Sequence, residues 1–330
     1  MAPPVSDSGA PKTAMRIAVT GASGFVGRSL IAHGTASGAE MIAVVRRESP
    51  LTGATQRIVP DITDTAALTR AFAGADAVVH LAARVHVMHR EGREALARFR
   101  AVNVDGTRAV VDACGAAGVR RLVFLSTAKV LGEGGNGVLR DDAPLAPQGA
   151  YAQSKAEAEE LVAAVAPAGL AWTILRPPLV YGPGVGGNFR RLLRLAQIGA
   201  TFPVPLGAVR NQRSLVAVRN LAAAALHALR DPRAAGHRYL VSDGEDLSTA
   251  ELLRRLGELR GRRVRLLAVP PFILRGALRV LGKGAEADRL LESFAVDSSG
   301  IRRELDWIPP LRLDEALGET LAWWTERGAA

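Results

Sequence analysis

The sequence predicts an α/β fold: a doubly wound parallel sheet with a smaller, mainly helical C-terminal lobe. Three observations carry this. Short apolar runs alternate with amphipathic stretches of helical period from residue 16 to residue 176. A glycine-rich turn follows the first apolar run directly. Beyond Pro177 the chain turns richer in Pro and Gly, with arginine-studded helical stretches.

The elements follow in order. Residues 16–20 (RIAVT) read as a strand, a helical pattern starts at Phe25, and residues 41–45 read as a second strand. A short strand precedes Asp61, and 77–81 (AVVHL) form the next. A helix over 102–117, a strand over 121–126, a glycine-rich loop over 131–150, a helix over 151–165 and a strand over 172–175 continue the alternation. Continuous apolar strands, rather than alternating ones, specify a sheet covered by helices on both faces. Residues 1–14 read as a disordered tail. The nucleotide-binding unit spans 15–176 and returns to the sheet at about 214–243, through 221–229 and 239–241. Residues 177–213 and 244–330 form the lobe.

Composition limits the partners. A chain of 330 residues with 48% hydrophobic content buries a full core. The net charge of +10 invites an anionic partner, but the arginines are spread as pairs without interleaved aromatics. An anionic small substrate is therefore expected, and no nucleic acid. No apolar run reaches bilayer-spanning length, and the N-terminus lacks the pattern of a signal peptide. The single cysteine, Cys114, lies in an apolar helical stretch, reads as a small packed hydrophobe and suits a reducing cytoplasm. His80, His86 and His89 lack a Cys or carboxylate partner at ligand spacing, so no metal is expected.

The turn after the first strand is Gly21-Ala22-Ser23-Gly24-Phe25-Val26-Gly27. Such a loop lets backbone N–H groups approach a pyrophosphate at a helix N-terminus, where side chains would obstruct. A Rossmann-type site for NAD(P) follows, formed by Gly21, Ser23, Gly24, Phe25, Val26 and Gly27. The second strand ends in Arg46-Arg47, where a carboxylate for the ribose hydroxyls is the rule, so NADP(H) is slightly favoured through Arg46. Glu48 as the ribose ligand is the alternative. Asp61 and Ile62 are placed toward the adenine, and Leu81, Ala82 and Ala83 toward the cofactor where bulk is not tolerated.

Tyr151 and Lys155 stand at i and i+4, on one helix face. A phenol with a pKa of about 10 is a poor base at neutral pH, and a neighbouring cation stabilises its phenolate. Thr127, ending the preceding strand after Ser126, is positioned to bond the same substrate oxygen. Thr127, Tyr151 and Lys155 are the candidate catalytic residues.

TGASGFVG, HLAA, NVDGT (103–107), LST with YAQSK, and LRPPLVYGPG (175–184) together resemble the extended short-chain dehydrogenase/reductase superfamily, in its nucleotide-sugar epimerase/dehydratase branch. The resemblance implies diphosphate contacts from Asn188 and Arg213, a weaker one from Arg289, and sugar contact from Ser126. It implies a homodimer through the helices at 102–117 and 151–165. Branch members that dehydrate carry Asp-Glu after the catalytic Thr; Ala128-Lys129 stands here, so dehydration is not expected. Two reactions at carbon 4 remain. The subgroup resembles UDP-glucose 4-epimerases and reductases that make UDP-N-acetylquinovosamine for surface polysaccharide. Leu131, where epimerases carry the Tyr of a VYG motif, and Arg46-Arg47 favour the reductase. The expectation is net reduction of a UDP-4-keto-6-deoxy-N-acetylhexosamine, with 4-epimerisation of UDP-glucose or UDP-N-acetylglucosamine as alternative. A non-catalytic NAD(P)-binding subunit is the competing class. Residues 271–282 (PFILRGALRVLG) read as a lobe helix packing over the sugar site, a membrane-surface helix being the other reading.

Overall fold

The computed structural model describes residues 14–85, 93–135 and 137–328. The tail 1–13 and the histidines His86 and His89 lie outside the described residues.

Seven strands form one parallel sheet: β1 (Arg16–Thr20), β2 (Glu40–Val45), β3 (Thr55–Ile58), β4 (Ala77–His80), β5 (Arg121–Leu125), and, after the two-residue β6 (Val138–Leu139), β7 (Ala171–Arg176) and the later β10 (His237–Leu240). The spatial order is β10-β7-β5-β4-β1-β2-β3, so the winding reverses between β1 and β4. A crevice opens there, beyond the carboxyl ends of the strands, and ligands bind such sheets at that point. Every strand pair in the order is parallel.

Both sheet faces are apolar, with the period of two that a pleated strand requires. Ile17, Val19, Met41, Ala43 and Val45 face one core layer, shared with α1 (Phe25–Ala36). Ala18, Ile42, Val44 and Val78 face the other, covered by α2 (Thr65–Phe72), which Asp64 caps by accepting from Ala67 N at 2.9 Å. Next come α3 (Arg93–Asn103), α4 (Asp105–Ala116) and α5 (Gly149–Val165). The expected single helix over 102–117 is thus two. The chain breaks at Val104, and Asn103 turns its side chain inward to bond Arg84 and Ser154. Cys114 is buried in this layer, and burial pushes its thiol up.

The lobe has its own core. β8 (Leu179–Tyr181) and β9 (Arg213–Ala217) pair in parallel, and β11 (Asp246–Leu247) adds antiparallel. Of the segment 214–243, only β10 therefore joins the seven-stranded sheet. Its 221–229 part belongs to α7 (Val218–Arg230), a helix packed on α1. α6 (Gly187–Gly199), α8 (Thr249–Glu258), α9 (Pro271–Val280), α10 (Gly284–Leu291), β12 (Ala295–Val296, paired with β6), α11 (Ser299–Leu305) and α12 (Leu313–Gly328) complete the chain. Phe189, Leu192, Leu252, Leu256, Leu317 and Leu321 fill the lobe core, and a capping box between Ser248 and Glu251 starts α8.

Candidate active site

The glycine loop is built as the spacing requires. Gly21 has φ +69°, and a Cβ there would lie 2.8 Å from Ala82 N. A Cβ on Gly27 would stand 2.4 Å from Gly21 O, so both glycines are dictated by close backbone approach. Gly24 N donates to Gly21 O at 2.9 Å. Gly24 also caps α1 without a side-chain bond, in contrast to Asp64 and Ser248 at their helices. No N-cap side chain therefore occupies the first N–H groups of α1, which begins directly after the loop. A pyrophosphate matches this cradle.

Around the loop, Leu81, Ala82 and Ala83 are half-buried at the end of β4, which lies beside β1. Phe25 and Val26 are half-buried and Ser23 is exposed. Arg46 and Arg47 are exposed beyond β2. Asp61 is exposed and accepts from Thr63 N (2.9 Å) and Thr63 Oγ1 (2.8 Å), bonds that hold its carboxyl below the usual range. Ile62 packs against Gly106, where a Cβ would meet its Cγ2 at 2.8 Å. Ile62 is thus committed to helix packing as much as to the crevice.

One hydrogen-bond chain ties the glycine loop to the tyrosine helix. Ala82 N donates to Thr20 Oγ1 (3.3 Å), and Thr20 Oγ1 lies 2.7 Å from His80 Nδ1. His80 Nε2 lies 3.1 Å from Thr107 Oγ1, whose hydroxyl donates to Asn103 O (2.6 Å). Asn103 Nδ2 donates to Ser154 Oγ (2.9 Å), which donates to Tyr151 O (2.8 Å). His80 is fully buried; desolvation, aided by the Lys155 charge, lowers its pKa to about 3, so it is neutral. Asn103 and Thr107 appeared in the sequence only as part of a motif. Among the polar residues of that stretch, only burial distinguishes them, and burial is not written in the sequence.

Tyr151 and Lys155 sit in the first turns of α5. Burial raises the Tyr151 phenol to about 12, and its ring meets Phe99 edge-on at 6.1 Å. Lys155 is buried, with Nζ donating to Leu125 O (2.6 Å) and standing 3.9 Å from the Phe124 ring centre. Desolvation lowers its pKa to about 7, opposed by Glu159 one turn on. Lys155 thereby fastens α5 to the end of β5, where Ser126 and Thr127 follow. Thr127 is buried and caps a 3-10 turn (Ala128–Leu131), accepting from Lys129 N at 3.3 Å. That turn packs on α5 through Ala128, Val130 and Ala156. The Ser126 Oγ is buried with no hydrogen-bond partner among the described residues, and a hydroxyl-bearing ligand at the end of β5 would supply one.

The lobe residues are placed less simply. Asn188 is half-buried in the first turn of α6. Arg213 starts β9, and its Nη1 donates to Arg289 O (2.6 Å) and Glu292 O (3.2 Å). The structure thus brings Arg213 and Arg289 together, but with Arg213 bracing the end of α10. Burial lowers the Arg213 pKa. Leu131 is buried among Ala128, Val130, Leu240 and Val296. Beneath the site, Arg176 and Glu159 form a buried bidentate pair, with Nη2 to Oε2 at 2.6 Å.

The arrangement matches known proteins along its length. A family model described as "NAD dependent epimerase/dehydratase family" matches residues 17–242. The chain is 35% identical over 318 residues to the UDP-glucose 4-epimerase of Vibrio cholerae, covering 95% of this chain and 96% of that protein. It is 31% identical over 341 residues to sterol demethylase protein B of Methylococcus capsulatus, covering 95% and 99%. Among solved structures, MoeE5 in complex with UDP-glucose and NAD superposes with a TM-score of 0.74 at 26% identity, covering 96% of this chain and 100% of that one.

Proposed function

We propose that this chain, which belongs to the NAD dependent epimerase/dehydratase family, moves a hydride at carbon 4 of a UDP-linked sugar. The observation that supports this most directly is the meeting, at one end of the sheet, of the glycine cradle, Thr127 and the Tyr151–Lys155 helix face. NAD(P), held by the cradle when bound, supplies or accepts the hydride. Tyr151 rests as a phenol, its pKa near 12. Where a carbon-4 carbonyl is reduced, the phenol gives its proton to the carbonyl oxygen; where a carbon-4 alcohol is oxidised, hydride leaves carbon 4 and the Tyr151 phenolate takes the hydroxyl proton. In this reading Lys155, one helix turn on from Tyr151 and donating to Leu125 O, lends positive charge to the phenolate when protonated, and Thr127 orients the sugar hydroxyl. Ser126, Asn188, Arg213 and Arg289 contact the substrate in this reading, Arg213 by exchanging carbonyl partners for phosphate.

Two finer readings compete. Interconversion of 4-epimers has the stronger support, from the Vibrio cholerae relative named UDP-glucose 4-epimerase that spans nearly the whole chain. Net reduction of a UDP-4-keto-6-deoxy-N-acetylhexosamine, the expectation from sequence, rests on Leu131 and on the exposed Arg46–Arg47 pair, suited to the 2′-phosphate of NADPH. A cytoplasmic homodimer through α4 and α5 completes the proposal. The test is incubation with UDP-glucose and NAD, and separately with the 4-keto sugar and NADPH. Epimerisation yields UDP-galactose with no net loss of cofactor. Reduction consumes NADPH in proportion to sugar. Neither product, in a protein that binds NAD(P), overturns the nucleotide-sugar assignment and favours a sterol-like or non-catalytic role.

A further inference from the structure

We propose that α9 and the segment leading into it form a docking surface for an anionic phospholipid membrane. The helix carries no buried residue: Leu274 and Leu278, one turn apart, are only half-buried against the lobe core. Away from these two, the helix and the chain at its ends expose Phe272 at 75%, Val280 at 88% and Leu281 at 67%, with Ile273 and the preceding Leu267 each about half exposed. Phe202, 67% exposed, lies next to Thr201, whose carbonyl accepts from Arg265. Isolated exposed apolar residues are ordinary; this many in one stretch of chain mark an interaction surface.

Charge selects the partner. Residues 259–284 contain Arg260, Arg262, Arg263, Arg265, Arg275, Arg279 and Lys283 and no acid, which is most of the chain's net +10. Arg275 is committed to Asp288 of α10 and to Glu292 just after it. Arg262, Arg263, Arg265, Arg279 and Lys283 are exposed. A second copy packed on this face would set cations against cations. An interfacial bilayer takes both features at once, the apolar side chains entering the headgroup boundary and the cations meeting lipid phosphates. Among the described residues no helix is long and apolar enough to cross a membrane, so the contact is lateral.

Flotation of the full chain with liposomes tests this without any substrate, so it stands apart from the proposed reaction. The probes are vesicles of pure phosphatidylcholine and vesicles with about three parts in ten phosphatidylglycerol. The chain is expected on the anionic vesicles only. The Arg279→Gln, Lys283→Gln pair should lower binding about 25-fold, about fivefold per cation. Phe272→Ser with Val280→Ser should also release the chain, while melting temperature and NAD binding stay unchanged. Equal binding to both vesicle types, no binding to either, or binding indifferent to the serine pair overturns the proposal. So does a dimer in sizing experiments that the serine pair dissociates, since a second copy would then cover the face.

Discussion

His80 Nε2 meets Thr107 Oγ1 at 3.1 Å, and the Thr107 hydroxyl proton is already spent on Asn103 O. The ring must therefore carry its proton on Nε2, leaving Nδ1 to accept from Thr20, which in turn accepts from Ala82 N. Each link has one possible direction, and the path runs from the glycine loop to the backbone of Tyr151.

Replacing Thr107 by Val removes the middle of this path at constant shape. It leaves the His80 Nε2–H and the Asn103 carbonyl buried without their partner. A loss of about 1–3 kcal/mol is expected, read as a lower urea midpoint with unchanged slope.

The same histidine predicts an acid-side dependence. Its pKa falls from about 6.5 unfolded to about 3 folded, so between these values the unfolded chain binds more protons. Stability from this group is full above about pH 6.5 and is lost as pH falls toward 3, by at most about 1.4 kcal/mol per unit. Urea midpoints at a series of pH values, compared between the native chain and His80→Gln, should show a shallower acid slope in the variant.

Tyr151→Phe keeps the ring against Phe99 and deletes the proton carrier. Turnover should fall by about 10²–10⁴-fold. Melting temperature and cofactor binding should stay near the parent's, and retention of activity would remove Tyr151 from the reaction.

Glu159 and Arg176 are almost wholly buried together. Glu159→Leu alone strands the guanidinium and should cost about 3–5 kcal/mol, measured by chemical unfolding.

Arg46→Glu reverses the charge at the end of β2 without touching a buried contact. NADP(H) binding should weaken about tenfold or more relative to NAD, by fluorescence titration of the reduced forms. An unchanged ratio assigns the ribose to another group.

The centre of the sheet was legible because its strands, buried on both faces, stand out as apolar runs, whereas the edge strands β3 and β10 carry polar residues; Gly21 and Gly27 were legible because close approach allows no other residue. That Tyr151 and Lys155 share one helix was legible from their spacing and their place after the strand ending at Ser126. The break at Val104 was not, since neither Gly nor Pro marks it and its cause is tertiary: Asn103 reaching Arg84 and Ser154. The roles of Thr107 and His80 were equally hidden, because a histidine in a strand shows nothing of which neighbours satisfy it. The carbonyls that Arg213 braces, those of Arg289 and Glu292, were not legible either, because they are brought to it by tertiary packing. The packing of Leu131 against Leu240 and Val296, far along the chain, was hidden for the same reason. The two-residue strands β6, β11 and β12 are too short to leave a pattern.

The sealed position of Cys114 has a practical side. Its sulfur is buried and its thiol is held protonated well beyond neutral pH, so alkylating and spin-labelling reagents should pass it by in the folded state. A thiol introduced at an exposed place such as Phe272 would then be the sole reactive one. The native chain is in effect a ready scaffold for single-site fluorescent or paramagnetic probes, with no background cysteine to remove.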